Sequence, residues 1–324
     1  MSRRPELEEF VERVRDLPHQ TELDAAAVEV LDAFEAAGVE SLLLKGPALA
    51  QMLYHPGEHR GYGDIDLLVA PTDLDAGRRA LAELGYANSE RGGLDDVAGI
   101  MHSELWSQAL ESKMVQLMVD LHWRLAGCEA PADVIWKVLG RRRAGIELGG
   151  RSVPVLAHDG LALHLATHAA QHGPDDIKAI ADLVRGLERW DPEIWRSAAD
   201  LAEQVDGAAA FAAGLRLTAP GTELAREIGS PPTDDLTWAI LNRDTRPRGT
   251  FHVQALAGAR GVRERLDVLR RSLFPRPEWI TWEYQWSRGA GRARLVAAYA
   301  IHLLRAPAWA VRAWRYRRAA RRRR

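Results

Sequence analysis

Residues 42–69 read LLLKGPALAQMLYHPGEHRGYGDIDLLV, and this stretch sets the topology we expect. An apolar strand over 40–45 breaks at a Gly-Pro pair, a short helix follows, and a second strand covers 64–69. Asp64 and Asp66 are two residues apart in that strand, so both side chains point to one face, about 6.5 to 7 Å apart. Two carboxylates on one face repel each other unless a cation lies between them. The spacing therefore predicts a site for a hard divalent ion, Mg²⁺ or Mn²⁺.

The alternative for these two acids is the solvent-exposed edge of a strand, where a D-x-D pattern is common. Leu67, Leu68 and Val69 continue the strand as an apolar run, however, and such runs are typical of buried strands. The glycine turn over 61–63 also places the acids beside a loop. Both features favour a metal site over an exposed edge.

A third acid lies on a later strand. The segment 113–123, KMVQLMVDLHW, is rich in β-branched and bulky residues, and Asp120 and His122 share one of its faces. If this strand is the neighbour of the strand over 64–69, three carboxylates converge, which is enough for a two-metal site. The alternative is that Asp120 pairs with an arginine. His122 is a further candidate for the wall of the cleft.

Lys45 and Gly46 form a candidate site for phosphate. A helix that begins after a glycine turn offers free N–H groups to an anion, and Lys45 adds a positive charge. The residue after the glycine is Pro47, which has neither a hydroxyl nor an N–H group. The sequence contains no phosphate-binding loop of the form G-x-x-x-x-G-K-[ST].

The order of elements predicts an α+β fold, in which helices flank a mixed sheet and a helical domain follows. Further strands are predicted over 86–90, 101–110, 113–123, 144–148 and 152–156. Helices are predicted over 5–38, 72–84 with Thr72 as cap, 158–172, 174–189, 193–204, 206–217, 221–228, 236–273 and 291–318, the last interrupted by Pro307. We expect N-terminal helices over 1–38, a catalytic domain over 39–156, a helical domain over 157–318 and a basic tail over 319–324.

The stretch over 42–69 resembles the polymerase-β-like nucleotidyltransferase superfamily. More narrowly, it is similar to an uncharacterised bacterial nucleotidyltransferase family with the pattern K-G-x-x-L-A, L-Y, R and D-I-D-L-L-V. The segment VDLHW at 119–123 is similar to the strand that carries the third acid of that family. The segments 159–173, 177–187 and 265–277 resemble its helical and C-terminal signatures, so the resemblance covers most of the chain.

The resemblance implies transfer of a nucleotidyl group from a nucleoside triphosphate (NTP), with Mg²⁺ or Mn²⁺ as cofactor. It implies that Asp64, Asp66 and Asp120 bind the metal and that Asp120 also helps to activate the attacking hydroxyl. The residues expected to hold the nucleotide are Lys45, Gly46, Arg60 and Gly63. The wider superfamily has a serine where this chain has Pro47, so Lys45 is expected to compensate for the missing hydroxyl.

The acceptor of the nucleotidyl group is expected to be a hydroxyl or phosphate of a peptide, a small molecule, a protein or RNA. Two other functions fit the same residues. One is a non-catalytic nucleotide-binding or scaffold protein with this fold, and the other is a kinase-type phosphotransferase. Turnover of an NTP would distinguish an enzyme from the non-catalytic protein. The mass added to the product would distinguish nucleotidyl transfer from kinase-type transfer of a phosphoryl group.

The predicted helical domain carries a second set of candidates. His164, His168 and His172 follow one another at i, i+4 and i+8 on one helical stripe. The stripe could bind zinc through two of its members, face the cleft and contact base, ribose or acceptor, or hydrogen-bond to backbone carbonyls. Lys178 and Asp182, also four residues apart, form either a helix ion pair or part of the cleft.

The composition is that of a globular protein with 45 acidic and 43 basic residues. The single cysteine excludes an intramolecular disulfide and a cysteine-cluster metal site. The first residues lack the apolar segment of a secretory signal, so we expect a cytoplasmic protein. From Tyr284 to Arg324 there are twelve arginines and no acid. Three interpretations of this segment are open: a packed helix with a basic end, a helix on an anionic membrane surface, or a site that binds RNA. We expect no integral membrane span.

Overall fold

In the computed structural model, the described residues are 20–88 without 56 and 59, 102–110, 115–231, 253, 256, 261–275, 277, 280–281, 284–287 and 291–322. They fall into two compact units. The described residues of the first unit are those up to 88, then 103–123 and 136–161. The second unit has residue 102, residues 124–135 and the described residues from 162 onward. The catalytic domain expected over 39–156 and the helical domain over 157–318 stay predictions.

The first unit is built on a mixed sheet, which confirms the α+β class. Its strands are β1 (Ser41–Leu43), β2 (Ile65–Val69), β3 (Ala87–Asn88), β4 (Ser103–Leu110), β5 (Val115–His122), β6 (Arg143–Leu148) and β7 (Arg151–Leu156). Their order across the sheet is β3-β4-β5-β2-β1-β7-β6. β1 pairs antiparallel with β2 and parallel with β7, and β2 pairs parallel with β5. The two strands that carry the acids are therefore neighbours.

The core of the first unit lies between the sheet and its helices, α1 (Gln20–Ala36), α2 (Pro47–Leu53) and α3 (Leu74–Glu83). Val30 and Phe34 of α1 belong to one buried cluster with Leu67 and Val119 of the sheet. Every residue of β2 is buried, as expected of a largely apolar strand in the middle of a sheet. The central strand is thus a rigid support for the acid that it carries.

The second unit is helical. Two helices, α4 (Ala132–Leu139) and α5 (His158–His172), contribute residues to both units. The others are α6 (Ile177–Arg189), α7 (Pro192–Gln204), α8 (Ala208–Leu215), α9 (Ala219–Glu227), α10 (Val262–Leu273) and α11 (Gly291–Arg322). The indole of Trp195 is buried, with ring centroids 6.1 Å from Trp190 and 6.4 Å from Phe211. Within the described residues, no helix combines the length and the apolarity needed to cross a bilayer.

Three elements differ from the sequence prediction. α4 was not predicted, because eight residues give too few turns for a helical period to stand out. α11 runs through Pro307 without interruption, although the proline removes one backbone hydrogen bond from the helix interior. α3 begins at Leu74 with Asp73 as its cap, and the hydroxyl of Thr72 donates to the Asp73 carboxylate instead of capping the helix.

Parts of two predicted helices lie outside the described residues. These are the first half of the helix over 5–38 and most of the segment over 236–260. The described parts are α1 and α10. The basic tail over 319–324 is described as far as Arg322, where α11 ends.

Candidate functional site

Asp66 and Asp120 lie opposite each other on neighbouring parallel strands. In the register of β2 and β5, Asp66 pairs with Asp120 and Leu68 pairs with His122. Asp66, Asp120 and His122 therefore share one face of the sheet, since His122 follows Asp120 by two residues. The sequence prediction of convergent carboxylates depends on this strand adjacency, and the pairing confirms the adjacency.

Three side chains converge at this point. The imidazole Nε2 of His122 lies 3.2 Å from Asp66 Oδ1 and 3.2 Å from Asp120 Oδ2. One ligand atom from each of the three residues lies within 4.8 Å of the other two. Asp66 and His122 are buried, whereas Asp120 is partly exposed. Solvent and ligands can therefore approach the group from the side of Asp120.

The donor set fits a divalent metal ion. The Oδ2 atom of Asp66 is buried and has no hydrogen-bond partner among the described residues, which is costly for a carboxylate oxygen unless a cation reaches it. Carboxylate oxygens suit Mg²⁺ and Mn²⁺, and an imidazole nitrogen favours Mn²⁺ over Mg²⁺. Across the described ranges, no other set of three or more His, Cys, Asp or Glu side chains brings its ligand atoms this close.

Lys45, two residues after the end of β1, reaches the same carboxylate. Its Nζ donates to Asp66 Oδ1 over 2.6 Å. The antiparallel pairing of β1 with β2 places it there, because Leu43 lies opposite Leu67 and the Leu44 N–H donates to the Asp66 carbonyl. The lysine that the sequence assigns to a triphosphate is thus paired with a candidate metal ligand.

The charges at the site compensate one another. Burial alone would lower the pKa of Lys45, but the carboxylates of Asp66, Asp64 and Asp120 outweigh it and raise that pKa. Burial alone would raise the pKa of Asp66, but Lys45 and His122 hold it well below its usual range. His122 likewise outweighs burial at Asp120 and lowers its pKa. The ammonium and the imidazolium therefore carry out part of the neutralisation that a metal ion would provide.

Asp64 lies beside this group and is not a member of it. β2 begins at Ile65, so Asp64 precedes the paired strand, and it is partly exposed. Its carboxylate is close enough to raise the pKa of Lys45. The three residues that the structure brings together are thus two of the predicted acids and a histidine that the sequence assigns only to the cleft. The metal-ligand role of Asp64 stays a prediction.

Gly46 holds the turn after β1 in a conformation that favours glycine, with φ at 59°. Pro47 is the first residue of α2, where a missing N–H removes no helical hydrogen bond. A Cβ at Gly46 would lie 3.4 Å from Cδ2 of Tyr62, so the tyrosine ring packs against the turn. The Tyr62 hydroxyl donates to Asp24 of α1. No local sequence pattern predicts this support, because Asp24 and Tyr62 are far apart in the chain.

The other predicted nucleotide-binding residues lie in the loop before β2. Arg60 is buried, and its carbonyl accepts a hydrogen bond of 3.0 Å from Gln20 Nε2. Gly63 is partly exposed and directly precedes Asp64. The contact of these residues, and of Lys45 and Gly46, with a nucleotide stays a prediction.

The histidine stripe lies in the second unit. The His164 and His168 rings stack with centroids 5.6 Å apart, and those of His168 and His172 are 4.3 Å apart. His172 Nδ1 lies 3.0 Å from Asp176 Oδ2, and this hydrogen bond lowers the pKa of Asp176 to about 2. The stripe predicted from the i, i+4, i+8 spacing is therefore present, whereas its function stays a prediction.

Lys178 and Asp182 lie on α6, after the residue whose side chain caps that helix. Asp176 caps α6 by accepting from the Ala179 N–H over 2.9 Å. Lys178 is exposed and Asp182 is buried. Their place in a cleft stays a prediction.

We expect the metal-free protein to lose stability as the pH rises above neutrality. Burial would lower the pKa of His122, but Asp120 and Asp66 raise it from 6.5 to about 9. A raised histidine pKa adds stability below about pH 6.5 that is lost as the pH passes through the folded-state value. The difference between these two pKa values corresponds to about 3 kcal/mol in the free energy of unfolding. Urea unfolding in EDTA across this pH range measures it.

The matched pair of variants for this measurement is His122→Gln and His158→Gln. His158 is exposed at the start of α5. We expect His122→Gln to remove most of the pH dependence and His158→Gln to leave it in place. If the free energy of unfolding changed equally with pH in wild type and His122→Gln, the two carboxylates would not hold an imidazolium.

Comparison with known proteins gives one family. The profile of a family described as uncharacterised nucleotidyltransferase matches residues 7–220, more than half of the chain. No curated protein matches the chain.

Several solved structures resemble the chain, and two of them share most of their own length with it. The antibiotic-resistance factor ANT(2'')-Ia is 14% identical at a TM-score of 0.41, over 57% of this chain and 94% of its own. An antigenic nucleotidyltransferase-like protein from Paracoccidioides brasiliensis is 13% identical at a TM-score of 0.36, over 59% of this chain and 93% of its own.

Proposed function

We propose that this chain, which belongs to the uncharacterised nucleotidyltransferase family, transfers a nucleoside monophosphate from an NTP to an acceptor at the group formed by Asp66, Asp120 and His122. The observation that carries the proposal is the convergence of two carboxylates and an imidazole from adjacent parallel strands. Nucleotidyl transfer requires neutralisation of phosphate charge and little covalent chemistry from the protein. A compact acidic group with a lysine beside it meets that requirement.

Asp66 and Asp120 would hold a divalent metal ion, Mg²⁺ or Mn²⁺, with Asp64 as a further ligand. When bound, such an ion polarises the phosphate and lowers the pKa of an attacking hydroxyl. Within the group of Asp66, Asp120 and His122, Asp120 is the partly exposed acid, so we assign to its carboxylate the acceptance of the proton from the acceptor hydroxyl. His122 positions both carboxylates, because its Nε2 lies 3.2 Å from each of them.

Lys45 has two partners in this proposal. One is Asp66, with which its Nζ is paired in the structure. With Asp66 engaged as a metal ligand, the Lys45 ammonium would be available to the triphosphate, next to the turn at Gly46. This role compensates for Pro47, which cannot supply the hydroxyl found in the wider superfamily. Arg60 and Gly63 complete the proposed nucleotide-binding residues.

We infer that the acceptor presents a hydroxyl or phosphate, and peptides, small molecules, proteins and RNA are the classes to screen. His168, His172, Lys178 and Asp182 are the candidates for contact with base, ribose or acceptor. An NTP substrate agrees with the cytoplasmic location expected from the sequence.

The test is a pair of transfer reactions with NTP labelled at the α-phosphate or at the γ-phosphate, each with Mg²⁺ or Mn²⁺ and a screen of acceptors. We expect the α-label to enter the product, together with release of pyrophosphate. Transfer of the γ-label instead would identify a kinase-type enzyme. Nucleotide binding without turnover for any acceptor class, with either metal, would favour a non-catalytic nucleotide-binding protein. Each of these two outcomes would overturn the proposal.

A further inference from the structure

The exposed apolar side chains of the described residues concentrate near the C-terminal end. The described residues include ten exposed large hydrophobic side chains, and nine of them lie between residues 262 and 314. These nine, which we call the C-terminal apolar set, are Val262, Leu266, Leu269, Phe274, Trp286, Val296, Leu304, Val311 and Trp314. The tenth is Ile177 on α6. Scattered apolar residues are normal on a surface, but a concentration of this kind indicates a contact surface.

On α10 the exposed residues form one stripe. Val262, Leu266 and Leu269 are spaced i, i+4 and i+7, which places them on one face of the helix. They are 74%, 61% and 40% exposed, whereas Val268 on the opposite face is buried. Arg265 lies beside the stripe and is exposed. α10 is thus amphipathic with its apolar face turned toward solvent.

The same arrangement continues on α11. At 3.6 residues per turn, Val296, Leu304, Val311 and Trp314 fall within an arc of about 80°. The opposite face is buried at Ala298, His302 and Ala313. His302 contributes to the packing of α11 against α10, since its Nε2 lies 2.9 Å from the carbonyl of Ser272. α11 therefore has two apolar faces, one packed within the unit and one exposed.

The charge of this region is strongly positive. Residues 261–324 contain seventeen arginines and four acids, whereas the whole chain has a formal net charge of −2. Asp267 on α10 is ion-paired with Arg270 and Arg271, so that acid is already neutralised. The exposed arginines that alternate with the apolar stripe of α11 include Arg305, Arg312 and Arg315. Apolar stripes beside exposed arginines thus run along both helices.

We propose that α10 and α11 dock on a membrane surface that is rich in anionic phospholipids. A helix with an apolar stripe and basic flanks lies in the boundary between headgroups and acyl chains, where each part meets its preferred surroundings. Each arginine near an anionic leaflet adds a favourable interaction that falls off within a Debye length. Docking of this kind requires no helix that crosses the bilayer.

Two other occupants fit the surface less well. A second copy of the chain would bring two arginine-rich surfaces together in a symmetric interface, and like charges would repel. RNA would be bound by the arginines, but the exposed aliphatic side chains of Val296, Leu304 and Val311 offer it neither charge nor stacking. An anionic bilayer offers negative charge to the arginines and an apolar interior to the exposed stripe.

The test is flotation of the full-length protein, without nucleotide, on vesicles of phosphatidylcholine alone or with about 30% phosphatidylglycerol. We expect binding to the anionic vesicles only, weakened in about 0.5 M NaCl. The variant Leu304→Glu/Val311→Glu, which changes two exposed positions, should bind at least about tenfold more weakly. The matched control is Ile177→Glu, at the exposed hydrophobic residue outside the set, and it should bind as wild type.

Three results would overturn the proposal. The first is the absence of binding to anionic vesicles. The second is equal vesicle binding by Leu304→Glu/Val311→Glu and wild type, which would show that the exposed face of α11 does not contact the bilayer. The third is a dimer of the wild-type protein, measured by light scattering, that the same double variant abolishes while vesicle binding is weak. The measurement is independent of nucleotidyl transfer, so failure of one proposal leaves the other intact.

Discussion

The Asp66→Asn protein is expected to lose nucleotidyl transfer by at least ~10³-fold, equivalent to ~4 kcal/mol of transition-state stabilisation. The amide removes the negative charge from the buried residue that contacts both Lys45 and His122. A neutral side chain at this position binds a divalent ion poorly and leaves two cations without their shared carboxylate. The measurement is transfer of the α-label from NTP, alongside isothermal titration of Mn²⁺.

The control for this variant is Asp75→Asn, the same change at an exposed acid of α3 that is paired with Arg78. We expect its activity to equal that of wild type. Because Asp66→Asn removes the partner of buried charges, it also costs about 3 to 5 kcal/mol of stability. The double variant Lys45→Met/Asp66→Asn should recover part of that stability and none of the activity. Full activity in Asp66→Asn would exclude the proposed metal site.

Much of the candidate site was predictable because strand geometry is local. The alternation of side chains along a strand put Asp66 on one face and Asp120 with His122 on another strand's face. The apolar run after Asp66 identified a central strand. These two patterns were enough to predict the convergence of carboxylates once the strands proved to be neighbours.

Other parts of the site depend on the residue at which strand pairing begins. No local sequence pattern determines that residue. Asp64 and Asp66 share a predicted face, yet β2 starts only at Ile65, so the paired strand does not include Asp64. The Lys45–Asp66 contact depends on the antiparallel register of β1 with β2. Such register is fixed by long-range packing, and a sequence pattern predicts the strands without their register.

In the helical elements, too, local features were predictable from the sequence and long-range contacts were not. The stripe of histidines and the bounds 158–172 of α5 followed from spacing alone, and they agree with the structure. Contacts between helices did not follow, because a close approach needs a small residue whose partner lies elsewhere in the chain. Gly214 on α8 is such a residue, and nothing in its neighbouring sequence distinguishes it from the other glycines.

Gly214→Ala is expected to destabilise the helical unit by more than about 3 kcal/mol. A Cβ at Gly214 would lie 1.8 Å from the carbonyl oxygen of Ala166 and 2.5 Å from its carbonyl carbon. Both atoms belong to the backbone of α5, so no change of rotamer can relieve the clash, and the two helices must separate. Separation opens the contact in which Ala170 packs with Ala210 and Ala213. Thermal unfolding followed by circular dichroism measures the loss.

The matched control is Gly261→Ala, where a Cβ would meet no atom within 4 Å and φ is an ordinary −158°. Its cost should not exceed about 1 kcal/mol, the usual scale for an altered helix cap. A cost for Gly214→Ala as small as that of the control would mean that α5 and α8 are not in backbone contact. With total stabilities of about 5 to 15 kcal/mol, the expected loss is at least about a fifth of the free energy of unfolding. A glycine in the helical unit thus has a structural role as strict as the role proposed for the acids in the sheet.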